Sequence, residues 1–306
     1  MSRSTISTFQ LFERFPNEES ARIYLENRLW KSGVMCPKCK QGNVTTRKNK
    51  PGFYMCNPCR LDFTVRTGTI FERSHIPLNK WLYAMYLLLT SRKGISSLQL
   101  AKEIGVTQKS AWFMLHRLRE ACGADIDLLR GIVEVDEAVF TGKESSRHMY
   151  ERIHKKRERI DKVVVVGLRE RGGNTVAKVV TGTGGLALRG AIKQYVAPGT
   201  RVMTDDFGAY TALPKDGYAH DTVKHVADEY VRGDVHTNSI ESVWAVMKRG
   251  MHGVYHHASR KHIGRYMDEF TFRLNAGNVK RHTLDRLDSL VDAVTGKRLT
   301  YEGLTA

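Results

Sequence analysis

Three acidic residues that lie far apart in the sequence occupy positions from which they could share one metal site. Asp136 and Asp205 each come near the end of an apolar, strand-like run. Glu241 begins a helix-like stripe that continues through Trp244 and Lys248, because residues three and four apart share a helix face. Carboxylates that converge at the edge of a sheet are the ligands that a two-metal phosphodiester enzyme needs. The joint pattern therefore predicts a site for divalent metal ions.

The strand around Asp136 predicts which of its acids faces that site. Side chains alternate between the two faces of a strand, so Glu134 and Asp136 share one face and Glu137 takes the other. We therefore predict Asp136 as the ligand, with Glu134 as a candidate neighbour. Asp205 and Asp206 are adjacent, and either could supply the second ligand. For any one of these acids alone, the alternative of an ordinary surface residue at a strand end is the more common case.

Four of the five cysteines form two Cys-x-x-Cys pairs, Cys36 with Cys39 and Cys56 with Cys59. Each pair places two thiolates on one side of a tetrahedral ion, and two pairs complete a four-thiolate zinc site. We predict one structural Zn²⁺ that stabilises a module too small to have its own core. Iron in the same site, two disulfides and free thiols are the alternatives. Basic residues around the pairs could contact DNA or form only a solvated surface.

Residues 97–104 and 108–121 have the pattern of two helices joined by a turn at Gly105. This arrangement predicts a helix-turn-helix, which places its second helix in the major groove of DNA. The side chains predicted to face bases or phosphates are Gln108, Lys109, Trp112 and Arg117. The alternative is an ordinary helical hairpin in which Trp112 belongs to the core. The excess of positive charge in the chain favours the DNA-binding alternative.

The composition of the chain favours a polyanionic partner. Over 306 residues it carries 49 Lys and Arg against 32 Asp and Glu, a formal net charge of +17. Each DNA phosphate that such a surface neutralises releases counterions, which drives binding. The sequence shows neither a signal peptide nor an apolar run long enough to cross a bilayer, so we expect a cytoplasmic protein. A basic segment at residues 147–159 could follow a DNA backbone or form a solvated hairpin.

The elements that must position these residues are helical towards both ends of the chain and β-rich between them. Strand-like runs cover residues 132–140, 163–168, 176–180 and 201–204, and a helix at about 187–195 precedes the last of them. The pattern predicts an α/β domain preceded by a zinc ribbon and a helix-turn-helix. The predicted domains are an N-terminal helical segment (1–32), the ribbon (33–68), the helix-turn-helix region (69–125), the α/β domain (126–290) and a polar tail (291–306).

Motifs along nearly the whole chain resemble those of DDE transposases, and more narrowly of the bacterial insertion-sequence transposases related to Merlin elements. The matching stretches are Phe15-Pro16, Trp30, Cys36-Pro37-Lys38-Cys39, residues 133–137, Thr204-Asp205, residues 236–241, Trp244, residues 248–250, 253–256, 261–270 and 273–275. The match departs from the family pattern in two places. Asp206 stands where glycine is more usual, and some relatives use asparagine near the third acid, where this chain has Asn238.

The resemblance implies a ribonuclease-H-like catalytic domain with a mixed sheet flanked by helices. It implies that Asp136, Asp205 and Glu241 are the catalytic residues and hold two Mg²⁺ or Mn²⁺ ions. It also implies that Lys248 contacts DNA near the cut, with Arg249 beside it. The accessory candidates are Asn238, His236 and Asp206.

By the same resemblance, the expected reaction is cleavage at the ends of an insertion sequence by water, followed by attack of the freed 3′ hydroxyl on target DNA. The expected partners are double-stranded DNA, namely the terminal inverted repeats and the target, and further copies of the chain on that DNA. The expected place of action is the bacterial nucleoid. Two alternatives stay open. One is a sequence-specific DNA-binding regulator, or a domesticated, inactive transposase. The other is a structure-selective nuclease of the same fold, which would cut DNA without joining it.

Overall fold

The structure is a computed structural model that describes residues 5–123, 126–140, 163–223 and 233–306. The basic segment at residues 147–159 lies outside the described residues. The chain divides into two units. The terminal unit combines Met1–Ala124 with Ala276–Ala306, and the central unit comprises Asp125–Asn275.

The described part of the chain is helical towards both ends and β-rich between them, as the sequence pattern predicts. The helices are α1 (Thr8–Arg14), α2 (Glu18–Leu29), α3 (Leu78–Thr90), α4 (Ser97–Ile104), α5 (Gln108–Cys122), α6 (Gly185–Tyr195), α7 (Asn238–Gly250), α8 (Ile263–Leu274), α9 (Thr283–Asp292) and α10 (Tyr301–Thr305). The strands are β1 (Val44–Thr46), β2 (Tyr54–Cys56), β3 (Asp62–Phe63), β4 (Ile132–Phe140), β5 (Val163–Glu170), β6 (Thr175–Val180), β7 (Arg201–Asp205) and β8 (Ala219–Val223). The bounds of α4 and β4 are those that the sequence predicts.

Several helices of the terminal unit begin at a side chain that caps their free backbone N–H groups. Ser7, Asn17, Ser96 and Thr107 each accept a hydrogen bond from the backbone N–H three residues later, which stabilises the first turn. Helix α3 lies between α2, α4 and α9 and is buried along most of its 13 residues. In the described part of the chain, no helix combines the length and hydropathy that crossing a bilayer requires.

The ribbon consists of the antiparallel strands β1, β2 and β3, and it packs against the end of α2. The ring of Trp30 lies edge-on to the rings of Tyr54 and Phe63, with centroids 5.2 and 6.2 Å away. The predicted boundary at residue 32 therefore falls inside one packed cluster. The ribbon has few buried side chains of its own, and Trp30 covers them.

The carboxyl-terminal boundary differs from the prediction, because α9 belongs to the terminal unit and not to the α/β domain. Arg28 on α2 pairs with Asp292 on α9 at 2.5 Å. The buried Arg286 donates a hydrogen bond to the backbone carbonyl of Leu89 at the end of α3, at 2.9 Å. The central unit ends at Asn275 instead of residue 290, since the apolar face of α9 is covered by α2 and α3.

The prediction of a polar tail at residues 291–306 is also wrong. Leu299 is 8% exposed and Leu304 is 0% exposed. Lys297 donates to the backbone carbonyl of Glu120 at 2.9 Å, and Arg117 donates to that of Leu299 at 3.2 Å. The segment is short and mostly polar, so its few apolar residues give no periodic signal, yet they dock on α5.

A mixed sheet of five strands forms the centre of the described central unit. Its order is β6-β5-β4-β7-β8. Strands β4, β5 and β6 pair antiparallel, whereas β4 with β7 and β7 with β8 pair parallel. This arrangement confirms the predicted α/β domain with a mixed sheet flanked by helices.

The two faces of β4 pack against different helices. Val133 and Val135 contribute to a core cluster with residues of α6, whereas Ala138 contributes to a second cluster with residues of α7 and α8. Because side chains alternate along a strand, Glu134 and Asp136 share the face of Ala138. These two acids therefore lie on the side of α7, as the sequence predicts.

The fully buried Leu304 gives a test of the carboxyl-terminal packing. Leu304→Ala should lower the free energy of unfolding of the terminal unit by about 2–5 kcal/mol, since it leaves a cavity. The matched control is Leu186→Ala on α6, where the leucine is 85% exposed and a change below about 0.5 kcal/mol is expected. Urea denaturation followed by circular dichroism measures both variants. No loss in Leu304→Ala would contradict the docking of this segment.

Candidate functional site

Two adjacent parallel strands bring Asp136 and Asp205 side by side. The last residue pair between β4 and β7 is Glu134 with Met203, and each aspartate follows two residues later on its strand. Strand β7 ends at Asp205, which is half-buried and accepts a hydrogen bond from the backbone N–H of Phe207 at 3.2 Å. The two carboxylates therefore lie where the paired strands separate.

Helix α7 approaches these strands through Trp244. The indole Nε1 of Trp244 donates to Oδ2 of Asp136 at 2.9 Å, and the residue is 4% exposed. Gly167 on β5, which pairs with Asp136, makes this approach possible. A Cβ at position 167 would stand 2.5 Å from the indole Cζ2 and 2.7 Å from Cδ1 of Ile240. The depth at which the indole enters thus sets the spacing between α7 and the sheet.

Burial and like charge act together on Asp136. Burial raises the pKa of its carboxyl, and the charges of Asp205 and Glu241 raise it further. Hydrogen bonds from the Glu137 backbone N–H and the Trp244 indole lower it in part. The three carboxylates are thus close enough for their charges to interact. A divalent cation would relieve this repulsion, and carboxylate oxygens are the ligands that Mg²⁺ and Mn²⁺ prefer.

Glu241 is exposed in the first turn of α7, where Thr237 Oγ1 donates to its Oε1 at 3.0 Å. Across the described residues, three or more His, Cys, Asp or Glu ligand atoms lie within 4.8 Å of one another only at the four cysteines. The fold therefore brings the three carboxylates to one end of the sheet without closing them into a coordination shell.

A fourth acid, Glu137, lies at this end of the sheet, although it was not among the site residues predicted from the sequence. Glu137 accepts a hydrogen bond from the buried Tyr210 hydroxyl at 2.6 Å. Burial raises the pKa of Glu137, and the charges of Asp205 and Asp136 add to the effect. Burial and the Glu137 carboxylate also raise the pKa of Tyr210, so the phenol stays protonated and donates. Strand alternation placed Glu137 on the face opposite Asp136, which is the face that packs on α6, and its adjacency to Asp136 was the available signal.

The accessory candidates take different positions. Asp206 is exposed, whereas the charge that raises the pKa of Asp136 comes from Asp205. Asn238 is exposed at the first residue of α7. Nδ1 of His236 lies 3.3 Å from Oε1 of Glu134, without the geometry of a hydrogen bond.

Both carboxylate oxygens of Glu134 are engaged within the protein. Its side chain is 0% exposed, and both of its oxygens already accept hydrogen bonds, Oε1 from Arg171 and Oε2 from the backbone of Ser239. The strand therefore presents Asp136 to the site and buries its same-face neighbour beneath α7.

Cationic and polar candidates for DNA contact are exposed at two places. Lys248 and Arg249 lie in the last turn of α7, and Lys248 is two helical turns, or roughly 10 Å, from Glu241. In the terminal unit, α4 and α5 meet at Gly105, whose φ of +63° suits glycine. Gln108 and Lys109 are exposed at the start of α5.

The prediction that Arg117 contacts DNA is wrong. Arg117 is 6% exposed, and its guanidinium donates to the backbone carbonyls of Glu72 at 2.7 Å and Leu299 at 3.2 Å. The residue lies on the face of α5 that the carboxyl-terminal segment covers. Lys109 is nearer the start of the helix, where its Nζ stands 4.6 Å from the centre of the Tyr301 ring and remains exposed. Trp112 is half-buried.

The four predicted zinc ligands converge in the ribbon. The sulfurs of Cys36 and Cys59, and those of Cys39 and Cys56, are 3.5 Å apart, and Cys59 and Cys56 are separated by 3.1 Å. These distances are too long for disulfides, and the thiols are free. They lie near the separation of about 3.8 Å that a tetrahedron of Zn–S bonds requires. The donor set fits one structural Zn²⁺.

The backbone of each cysteine pair turns in the same way. Lys40 and Arg60, which follow the second cysteine of each pair, have φ of +59° and +53°. Burial acts to raise the pKa of Cys36, but hydrogen bonds from the backbone of Cys39 and Lys38 and from neighbouring thiols outweigh it and lower the pKa to about 6. The turn at the first pair therefore favours the thiolate of Cys36, the form that binds zinc, whereas the pKa values of Cys56 and Cys59 in the second pair are raised.

The structure combines a zinc ribbon with an α/β domain that carries acidic residues at one edge of its sheet. Proteins with both features are the class in which relatives of this chain are expected. A transposase zinc-ribbon domain matches residues 16–62, and an ISXO2-like transposase domain matches residues 128–275. The chain is also similar to "Uncharacterized protein in transposable element ISH50" of Halobacterium salinarum, with 31% identity over 281 residues, 85% of this chain and 91% of the relative. The chain belongs to the IS1595 family of insertion-sequence transposases.

Each matched range lies within one structural unit. The zinc-ribbon match begins at residue 16 and so includes α2, whose end packs on the ribbon through Trp30. The ISXO2-like match ends at residue 275, where the central unit ends. Both agree with the structure and not with the boundaries predicted at residues 32 and 290.

Gly167 gives a test of how α7 is seated. Gly167→Ala should lower the free energy of unfolding of the central unit by about 1–3 kcal/mol, because the added methyl collides with Trp244 and Ile240. Gly190→Ala on α6 is the control, since a Cβ there meets nothing within 4 Å. Thermal unfolding followed by tryptophan fluorescence measures both. Equal stability of the two variants would show that α7 does not depend on this space.

Zinc removal gives a test of the ribbon. Its core holds few buried side chains, so the metal supplies most of its folding free energy. We expect a chelator to abolish amide hydrogen-exchange protection in residues 36–63, whereas α3 stays protected. Cys36→Ser should behave like the chelated protein. Cys122→Ser, which removes a buried thiol outside the ribbon, should behave like the wild type. Unchanged protection after verified zinc loss would contradict the assignment.

Proposed function

We propose that this transposase cuts DNA at the ends of its insertion sequence and joins the freed 3′ hydroxyl to target DNA. The observation that carries the proposal is the placement of Asp136 and Asp205 on two adjacent parallel strands, beside the helix that carries Glu241 and whose Trp244 bonds Asp136. Membership of a transposase family supports the class of reaction. The position of the three acids supports the end of the sheet, between β4, β7 and α7, as the place where this reaction occurs.

Asp136, Asp205 and Glu241 are the residues that would hold two Mg²⁺ or Mn²⁺ ions. Bound there, the ions supply the positive charge that activates the attacking oxygen and stabilises the leaving 3′ oxygen. Trp244 orients the Asp136 carboxylate, and the end of β7 fixes Asp205. Glu241 would complete the set from the first turn of α7, where its carboxylate accepts a hydrogen bond from Thr237.

Two exposed cationic residues support a DNA path beside this site. We propose that Lys248 and Arg249 contact the DNA backbone next to the cut, because α7 carries them and Glu241 together. Each such contact adds affinity that falls with salt concentration. In the terminal unit, the exposed start of α5 offers Gln108 and Lys109 for contact with the terminal inverted repeats. The formal net charge of +17 supports binding of DNA over an extended surface.

Transposition involves both ends of an element, and each chain carries one acidic site of this kind in its described residues. We propose that two or more copies of the chain assemble on DNA so that each end is cut by its own site. The place of action would then be the bacterial nucleoid, where element and target DNA both lie.

The function is tested with labelled duplexes that carry defined element ends, a supercoiled acceptor plasmid, and Mg²⁺ or Mn²⁺. The proposal expects cleavage at the ends and covalent transfer of the label into the plasmid. Cleavage without transfer would identify a structure-selective nuclease. Binding of the ends without cleavage would identify a DNA-binding regulator or an inactive transposase.

The acidic residues are tested in the same assay. Asp136→Ala, Asp205→Ala and Glu241→Ala should each lower cleavage by about a thousandfold or more, because charge stabilisation worth several kcal/mol is lost. Asp206→Ala is the matched control, since this adjacent acid is exposed, and it should retain cleavage within about threefold. Gel-shift affinity for the ends, at fixed ionic strength, should stay near the wild-type value in all four. Full strand transfer by Asp136→Ala would refute the assignment.

A further inference from the structure

Helix α7 is capped by a side chain from the sheet. Its own N-cap residue, Thr237, makes no side-chain cap hydrogen bond. Instead, Oε2 of Glu134 on β4 accepts hydrogen bonds from the backbone N–H groups of Ser239 at 2.8 Å and Ile240 at 3.1 Å. A carboxylate in this position satisfies two free donors and lies at the positive end of the helix dipole.

A second side chain holds the segment that leads into the helix. Arg171 donates from Nε to Oε1 of Glu134 at 2.6 Å. The same guanidinium donates to the backbone carbonyls of Asp234 at 2.7 Å and His236 at 3.0 Å. Glu134 and Arg171 therefore fix both the first turn of α7 and the residues just before it, and this is the unit we call the Glu134–Arg171 clamp.

The clamp acts next to the third acid of the site. Ile240, whose N–H is bound by Glu134, immediately precedes Glu241. We propose that Glu134 is a positioning residue, which holds the first turn of α7 so that Glu241 can join Asp136 and Asp205 around a divalent ion. This inference rests on the proposed function of those three acids. Glu134 itself is 0% exposed, and both of its oxygens accept hydrogen bonds from within the protein.

The charge of Glu134 is essential to this role. A glutamine in its place has one oxygen and one NH₂ group, so it would turn a donor toward either Arg171 or the two helix amides. One of these partners would lose its acceptor, and the helix dipole would lose its compensating charge. We therefore expect the first turn of α7 to loosen while the apolar contacts of Ile240 and Trp244 keep the rest of the helix in place.

The matched control is Glu269 on α8, in the same unit. It is also 0% exposed and is bonded to Arg273 and to the Tyr255 hydroxyl. Glu269→Gln removes a buried, paired carboxylate of the same kind at a place that is not the start of α7. If the role of Glu134 is purely structural, the two glutamine variants should bind Mn²⁺ equally well, whatever stability each of them loses.

The experiment uses the full-length, zinc-loaded protein without DNA and measures Mn²⁺ binding by electron paramagnetic resonance. Glu134→Gln should weaken Mn²⁺ binding by about tenfold or more, as loss of a residue that orients a metal ligand commonly does. Hydrogen exchange should become faster at the amides of Ser239 and Ile240. Glu269→Gln should retain the wild-type Mn²⁺ affinity and the protection of these two amides, even where it lowers the melting temperature.

If Glu134→Gln does not fold, Arg171→Lys is the variant that tests the positioning role. It keeps a cation beside Glu134, but its single nitrogen cannot span the three acceptors that Nε, Nη1 and Nη2 of Arg171 reach, so we expect Mn²⁺ binding to weaken by about threefold or more. Wild-type Mn²⁺ affinity in a folded Glu134→Gln, or in Arg171→Lys where the first does not fold, would overturn the positioning role. If the zinc-loaded wild-type protein binds no Mn²⁺, the proposed function is overturned instead. The wild-type measurement thus distinguishes failure of the proposed function from failure of the positioning role.

Discussion

The packing of α7 on β4 and β5 is the interaction on which the site depends. The two parallel strands place Asp136 and Asp205 together without help from a helix, but the third acid reaches them only if α7 lies close to the sheet. Gly167 leaves a space on the sheet that the Trp244 side chain fills. The single N–H donor of the indole bonds Asp136. The same contact therefore fixes the position of α7 and orients the Asp136 carboxylate. A change in the packing of α7 would also change the acidic site.

Three acids on one strand are distinguished by what they are bonded to. Glu134 has a cation, Arg171, and the amides of a helix N-terminus, so its charge is compensated inside the protein. Asp136 and Glu137 are held by neutral donors, the Trp244 indole and the Tyr210 hydroxyl. Their pKa values are raised by burial and by neighbouring carboxylates. Neutral donors orient a carboxylate without neutralising it, which leaves charge available for a divalent cation.

Much of the fold and part of the site follow from sequence patterns that are local. The bounds of β4 and α4, the face on which Asp136 lies, and the cysteine pairs all depend on periodicity or spacing. What could not be predicted depends on distant partners. Arg117 carries a guanidinium, which is a common DNA-contacting group. It is nevertheless buried, because the carboxyl-terminal segment docks on it. The role of Glu134 depends likewise on a helix that starts more than a hundred residues later.

The electrostatics of α7 explain why this helix suits the work proposed for it. Its first turn is positive by virtue of the backbone, and two acids use that end: Glu134 from beneath and Glu241 within the turn. Lys248 and Arg249 lie in its last turn, and the backbone continues from Gly250 into a π-helical turn at Met251–Tyr255. Acidic and basic side chains thus lie about two turns apart on one helix. DNA held by the basic residues would therefore stand at a set distance from the acids.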